Sequence, residues 1–264
     1  MNERLDVIGI GNAMVDTIIP SNKAEVEKHK LNRDSMNLID EELKNNLHKE
    51  YIIKEMIGGG SLGNSMFGIT SFGGNGSFIG KIKNDKVGIF LEKDMVREGL
   101  KFPLGFTSLD LSTGCCTIFV EADGTRTMCT FLGAGSTIGP EDIKKEQIIG
   151  HKIAYLEGYL WDNENAKRAM KKMVDICKED KQQIAFTLSD LFCVDRHQNS
   201  FDDLIVNNVD ILFGNEEEMC AMSKSSSIAD AVNYAKSLNI IAVITLAEKG
   251  SLIIKNNNII EVSP

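Results

Sequence analysis

Short apolar runs recurring between amphipathic, helix-spaced stretches constrain this chain more than any other feature. The strand-like runs include Leu5–Ile10, Ser77–Gly80, Ile153–Leu156, Ile184–Thr187, Ile211–Phe213 and Ile241–Leu246. The clearest helical stretch is Asn163–Glu179, where Ala166, Ala169, Met170, Met173, Val174 and Cys177 fall at three- and four-residue steps with Lys and Asp opposite. A strand covered on both faces reads as a continuous apolar run, and a helical crossover is what a parallel pair of strands needs. The pattern predicts an α/β fold with a mostly parallel central sheet and helices on both faces. At 264 residues the chain can bury a substantial core, as one large domain or one domain with a small lid.

Two stretches interrupt the alternation. Asp16–Ile19 and Ser35–Ile39 are strand-like but flank a charged, helix-poor segment. Later, Cys115–Val120 and Arg126–Phe131 are joined by Glu121-Ala122-Asp123-Gly124, a hairpin signal. These pieces predict a small β lid built from about 16–39 and 107–132, with the remainder of 1–264 forming the core. Ser251–Lys255 and Ile259–Val262 read as a further hairpin turning at Asn256-Asn257-Asn258, followed only by Ser263 and Pro264. An α/β chain rarely stops on a hairpin without a covering helix, so the expectation is a single domain that is incomplete at its C-terminal end.

Composition excludes several function classes. The 38 acidic against 29 basic residues give a formal net charge of -9, a poor footprint for nucleic acid or an anionic membrane. A nucleotide is not excluded, because a few local donors and one divalent cation can hold it. The 23 Gly beside only 4 Pro suggest loops that let backbone approach a ligand closely. Six cysteines, at 115, 116, 129, 177, 193 and 220, include no CxxC and read as reduced core thiols in a cytoplasmic compartment. Met1–Arg4 lead directly into Leu5–Ile10, too short for a signal sequence, and no apolar run approaches the ~20 residues of a membrane span.

The glycine clusters are the candidate binding loops. Gly9-Ile10-Gly11-Asn12 follows the first strand, but Met14 occupies the third glycine position of a dinucleotide fingerprint and no suitably placed acidic residue follows. Tight glycines there would instead let Asn12 and Asp16 reach a ligand or a neighbouring loop. Gly58-Gly59-Gly60-Ser61 precedes a helical run, Ser65–Phe72, and suits a polar ligand at the helix start or a hinge. There is no G-K-[ST] of a Walker loop. Ser189, Asp190, Asp195 and His197 supply triad residue types without a nucleophile elbow, so a polar loop after a strand is expected. The four histidines, 29, 48, 151 and 197, lack metal-ligand spacing and are expected at the surface.

Taken in order, Gly9-Ile10-Gly11-Asn12-Ala13-Met14-Val15-Asp16, Gly59-Gly60-Ser61 with Asn64, Phe78-Ile79-Gly80-Lys81 with Asp85 and Gly88, and Asp123-Gly124-Thr125-Arg126 resemble the pfkB, or ribokinase-like, carbohydrate kinases. Tyr155–Asp162, Asp190–His197, Asn215-Glu216-Glu217-Glu218 and Glu248-Lys249-Gly250-Ser251 continue the resemblance along essentially the whole chain, which is most similar to the bacterial adenosine-kinase-like branch. The resemblance implies a ribokinase-like three-layer sandwich and an ATP- and Mg²⁺-dependent kinase acting on the 5′-hydroxyl of a purine nucleoside or a related sugar. Asp16 matches the carboxylate that accepts from sugar hydroxyls, Gly59 and Gly60 a lid hinge, and Asn64 a sugar contact. Arg126 matches a contact to the transferring phosphate. Asn215, Lys249 and Gly250 match nucleotide-binding positions, and Asn215 with Glu218 the pair that organises Mg²⁺ largely through water. The cap reading of Asn215 at a helix start stays open beside that one. A homodimer is among the assemblies the resemblance allows.

One departure stands out. The family's D-T-x-G-A-G-D segment, whose last Asp is the general base, is absent from residues 1–264; Gly133-Ala134-Gly135 is followed by Ser136. The resemblance therefore places the catalytic Asp beyond Pro264, with no catalytic base among the candidates. The expectation is that this 264-residue chain binds a nucleoside or sugar but phosphorylates it weakly or not at all. The alternative is a non-catalytic nucleoside- or sugar-binding remnant of such a kinase.

Overall fold

The computed structural model describes residues 5–103, 105–108 and 110–264, so Met1–Arg4 and one position of the expected lid, Leu109, lie outside the described residues. In chain order the elements begin with β1 (Leu5–Ile10), β2 (Met14–Pro20), α1 (Lys23–Lys28), β3 (Met36–Leu38), α2 (Glu41–Glu50), β4 (Glu55–Gly59) and α3 (Ser61–Ser71). They continue with β5 (Gly76–Ile79), β6 (Ile82–Lys83), α4 (Lys86–Arg97), β7 (Phe106–Thr107), β8 (Gly114–Val120) and β9 (Arg126–Phe131). Next come α5 (Lys145–Ile148), β10 (His151–Glu157), α6 (Glu164–Glu179), β11 (Gln183–Thr187), α7 (Leu191–Asn208) and β12 (Ile211–Asn215). Last are α8 (Glu216–Met222), α9 (Ile228–Ser237), β13 (Ile241–Thr245), β14 (Ser251–Lys255) and β15 (Asn258–Val262). These elements divide between two compact units, one ending at Ile10 and resuming from Gly139 to Pro264, the other Gly11–Ile138.

In the first unit the strand order is β15-β14-β13-β12-β11-β10-β1. Pairing is parallel from β1 through β13 and antiparallel for the β13–β14 and β14–β15 steps. The apolar alternation of the sequence thus becomes a mostly parallel sheet. The stripe on α6 is its buried face: Ala166, Ala169, Met170, Met173, Val174 and Cys177 are all buried. Asn163 lies one residue outside that helix and caps it, its Oδ1 accepting from Asn165 N at 2.8 Å and Ala166 N at 3.3 Å. Trp161, Phe186 and Phe201 fill the core beside α7; Phe186 and Phe201 meet edge to face at 4.9 Å between ring centroids. The indole N–H of Trp161 donates to Ser200 Oγ at 2.9 Å, so its polar end is satisfied.

The second unit is organised on a five-stranded sheet of order β3-β9-β8-β2-β4. The hairpin expected at Glu121–Gly124 joins β8 and β9, with Gly124 at φ 87°. The sheet also takes in β4, which the sequence presents as a glycine loop. Glycines weaken the strand signal, yet β4 pairs antiparallel with β2 from Glu55 to Gly59. Behind the sheet, α1 and α2 cover Ile19, Val26, Leu47, Phe119 and Cys129, all essentially buried.

The histidines correct the sequence expectation, since none of the four is exposed. His151 is buried, its Nδ1 2.9 Å from Ile148 O. His48 reaches behind the sheet, with Nε2 2.8 Å from Thr117 Oγ1 and 3.2 Å from Thr17 Oγ1. An imidazole has a polar edge that can satisfy buried hydroxyls, which is why lone histidines are absorbed into a fold without binding metal. Among the described residues no helix is long and apolar enough to cross a membrane.

Candidate functional site

In the second unit, β2 carries Asp16 level with Ile57 of β4 and Cys116 of β8. Residue 16 points to the face opposite Thr17, so it stands on the side of the sheet away from His48. Its carboxyl is pushed up to about 6, chiefly by burial, against a hydrogen bond from the Gly60 backbone that favours the charged form. The turn after β4 is shaped around this group. A Cβ on Gly59 would sit 2.2 Å from Asp16 Cγ and Oδ1 and 2.5 Å from Oδ2, so any side chain there would occupy the carboxylate's place. Gly60 has φ 87°, the left-handed region, and a Cβ there would lie 2.8 Å from Asn12 O. Asn64 stands exposed in the first turn of α3, whose backbone begins with Asn64 N donating to Gly60 O at 2.9 Å.

The same place gathers further residues. Gly11 N donates to Ile79 O at 3.1 Å, and a Cβ on Gly80 would lie 2.7 Å from Ala13 Cβ. Asn12 is buried, and a Cβ on Gly135 would come within 3.5 Å of its Oδ1. Asp16, Gly59, Gly60 and Asn64 are therefore assembled around one turn, with Asn12 and the Gly133–Gly135 segment added. In the sequence, the one signal for Asn12 is the flanking Gly11, which marks a tight loop there. Arg126 is not part of that group. Thr130 is the β9 residue level with Cys116 and so with Asp16. Arg126 lies four residues back along the strand, about 13 Å at strand rise, exposed on the same face.

The first unit holds the remaining candidates at carboxyl ends of its parallel strands, where α/β sheets present their ligands. Asn215 ends β12 and caps α8. Its Oδ1 accepts from Glu218 N at 2.8 Å, while Glu218 Oε2 accepts from Asn215 N at 3.0 Å and Oε1 from Asn215 Nδ2 at 2.8 Å. The cap reading is thus realised in full. Glu218 is buried, and burial pushes its carboxyl up; the Asn215 backbone hydrogen bond opposes this, while Asp190 and Glu217 add to it. Tyr159 donates to Asp190 Oδ2 at 3.4 Å. These are hard oxygens carrying surplus negative charge, a donor set that fits Mg²⁺. Among the described residues no group of three or more His, Cys, Asp or Glu is arranged to hold a metal directly.

Asn215 is level with Thr245, which ends β13, and Lys249 and Gly250 form the turn into β14. Lys249 is exposed, and Gly250 has φ 88° with no room for a side chain: a Cβ would lie 2.0 Å from Val262 O and 3.1 Å from Pro264 N. Pro264 thus stands, exposed, beside the Lys249–Gly250 turn.

The triad types do not assemble. Ser189 Oγ donates to Thr187 O at 3.4 Å, Asp190 caps α7, and His197 and Arg196 both engage Asp162, at 2.6 Å and 2.7 Å. Ser189 and Asp190 form the polar turn expected after β11, whereas Asp195 and His197 are helical. All six cysteines are buried and unpaired, and burial pushes the thiols of Cys116, Cys129, Cys177 and Cys193 up to about 12.

Comparison with known proteins matches residues 30–264 to the model of the "pfkB family carbohydrate kinase". A curated relative, the guanosine-inosine kinase of Escherichia coli K12, is 22% identical over 230 residues, 83% of this chain and 53% of that protein. The chain thus spans about half the length of the curated relatives it matches. Two solved structures are more similar. The adenosine kinase of Sinorhizobium meliloti superposes with a TM-score of 0.91 at 32% identity, covering 98% of this chain and 80% of that one. A probable sugar kinase of Rhizobium etli CFN 42 gives 0.92 at 33%, covering 99% and 79%. The fold is the ribokinase-like α/β fold of these structures.

Proposed function

The chain belongs to the pfkB family of carbohydrate kinases, and we propose that within it the protein serves Mg²⁺-ATP-dependent phosphorylation of the 5′-hydroxyl of a purine nucleoside, adenosine-like, or of a related sugar. The observation that carries this reading is Asp16: a half-buried carboxylate held by a backbone N–H and walled by a glycine that admits no side chain. A carboxylate can accept from two adjacent hydroxyls at once, the recognition a ribose diol needs. The burial that makes the charged form expensive also makes hydroxyl donors valuable to it. The likeness to an adenosine kinase and to a guanosine-inosine kinase supports a nucleoside acceptor, and that to a probable sugar kinase keeps a related sugar beside it.

In this reading Gly59 and Gly60 form the hinge beside the acceptor, Asn64 contacts its sugar, and Arg126 is the candidate contact to the transferring phosphate. Lys249 and Gly250 line the ATP side with Asn215. Asn215 and Glu218, with charge from Asp190, would hold Mg²⁺ through water; when bound it neutralises charge on the phosphoryl oxygens. Residues 1–264 contain no D-T-x-G-A-G-D segment, so the family's catalytic Asp has no counterpart up to Pro264. A positioned base is worth about 10²–10⁴-fold in rate. For the polypeptide of residues 1–264 taken alone, the proposal is acceptor binding with slow phosphate transfer. The buried, protonated thiols support a reducing, cytoplasmic setting, and a homodimer is the assembly proposed.

The test is ADP release by the mass-verified 264-residue chain with Mg²⁺-ATP against a nucleoside and sugar panel, with acceptor binding followed in parallel. Adenosine binding with little or no turnover is expected. Rapid turnover would overturn the missing-base argument, and binding of none of the panel by folded protein would overturn the acceptor assignment.

A further inference from the structure

Three consecutive glycines, Gly58–Gly60, have no side chains with which to fix their own path, yet that path sets the Gly59 backbone against the Asp16 carboxyl, where a Cβ would lie 2.2 Å from Asp16 Cγ and Oδ1. On one side the ladder with β2 holds β4. On the other side β4 is the edge of the five-stranded sheet, where an outward amide has no strand partner. Gly58 N donates there to Asp94 Oδ2 at 2.9 Å. Asp94 lies late in α4 and is only 7% exposed. The helix does not need it as a cap, since Asp85 fills that place. Its other oxygen, Oδ1, accepts from Arg97 Nη2 one turn on. The fit is close: a Cβ on Gly58 would lie 2.7 Å from both Asp94 Oδ2 and Phe67 Cζ.

We propose that Asp94 is a positioning residue for the Asp16 site: through Gly58 it anchors the glycine turn in the path that packs the Gly59 backbone against the Asp16 carboxyl, with Arg97 holding it in aim. A hydrogen bond donated by a backbone amide to a carboxylate is charge-assisted and stronger than one to a neutral acceptor, so it makes a firm tether for a glycine. Its effect on acceptor affinity rests on Asp16 being the hydroxyl-accepting group; the anchor itself does not.

The experiment compares Asp94→Ala and Asp94→Asn in the full chain by amide hydrogen exchange over Gly58–Asn64, with the β8–β9 hairpin as internal reference, and by adenosine titration. In Asp94→Ala, exchange over Gly58–Asn64 should rise about tenfold or more while the hairpin is unchanged, and adenosine affinity should fall about tenfold. Asp94→Asn, which keeps an acceptor, should recover most of both. Should Asp94→Ala fail to fold, Arg97→Gln serves, with about a threefold rise expected over the same residues. Unchanged exchange over Gly58–Asn64, or an equal rise in the hairpin, would overturn the proposal. A local rise in a protein whose unsubstituted form binds no adenosine upholds the anchor and defeats the acceptor assignment instead.

Discussion

Replacing Gly59 with alanine puts the account of the Asp16 site under direct strain. The added Cβ would lie 2.2 Å from Asp16 Cγ and Oδ1, where unstrained contacts need about 3.5 Å, so the carboxylate must retreat by about 1.3 Å or the turn must open. Overpacking of this kind costs about 1–3 kcal/mol of stability. It should also pull Asp16 off the Gly60 N–H, weakening adenosine binding by about tenfold to a hundredfold. The three atoms nearest the Cβ all belong to the Asp16 carboxyl, so Asp16→Ala removes the closest obstacle. A double-mutant cycle by urea denaturation should therefore show Gly59→Ala destabilising by about 1–3 kcal/mol alone and by less than about 0.5 kcal/mol beside Asp16→Ala. An equal cost in both backgrounds would refute the reasoning, because the strain would then come from elsewhere in the turn.

The Asp16 carboxyl, raised to about 6, binds a proton more tightly folded than unfolded, so its contribution lowers stability as pH rises from about 4 to about 6; Asp16→Asn should flatten that slope in denaturation series. Acceptor binding needs the charged form, so adenosine affinity should climb over the same interval and level off above about pH 7, as titration calorimetry at several pH values would show. Asn215→Ala removes the cap of α8 and the side-chain donor to Glu218 Oε1, leaving the backbone N–H on Oε2, and should cost about 0.5–2 kcal/mol and raise the Mg²⁺ concentration needed to bind ATP. The buried, raised thiols should resist a thiol reagent in the native chain and all six should react in urea. Ile259, Ile260 and Val262 are 41%, 60% and 42% exposed on β15, so if the 264-residue chain proves to self-associate by light scattering, Ile260→Lys should reduce it.

The sheet of the first unit was legible because burial on both faces leaves an unambiguous trace: Ile184–Thr187 and Ile241–Leu246 are apolar runs bounded by polar turns, and they became β11 and β13. The β8–β9 hairpin was legible from Asp123-Gly124, which supplies the left-handed residue the turn requires. β4 was not, because Gly58 and Gly59 carry no side chains to show a strand period and are held by the β2 ladder and by Asp94, 36 residues on. Asp16 and the glycine pair could be listed from a family resemblance, but nothing in local sequence shows that Gly59 is glycine because Asp16 fills its side-chain space. His48 likewise hides its role, since its partners Thr17 and Thr117 lie on strands that only the fold brings together.

The central claim is that Asp16 recognises the diol of a nucleoside, and adenosine titration of the 264-residue chain beside Asp16→Ala tests it most directly. The account predicts saturable binding that Asp16→Ala abolishes or weakens by at least about tenfold while the protein stays folded. Equal binding by both proteins, or none by the folded unsubstituted chain, would contradict it.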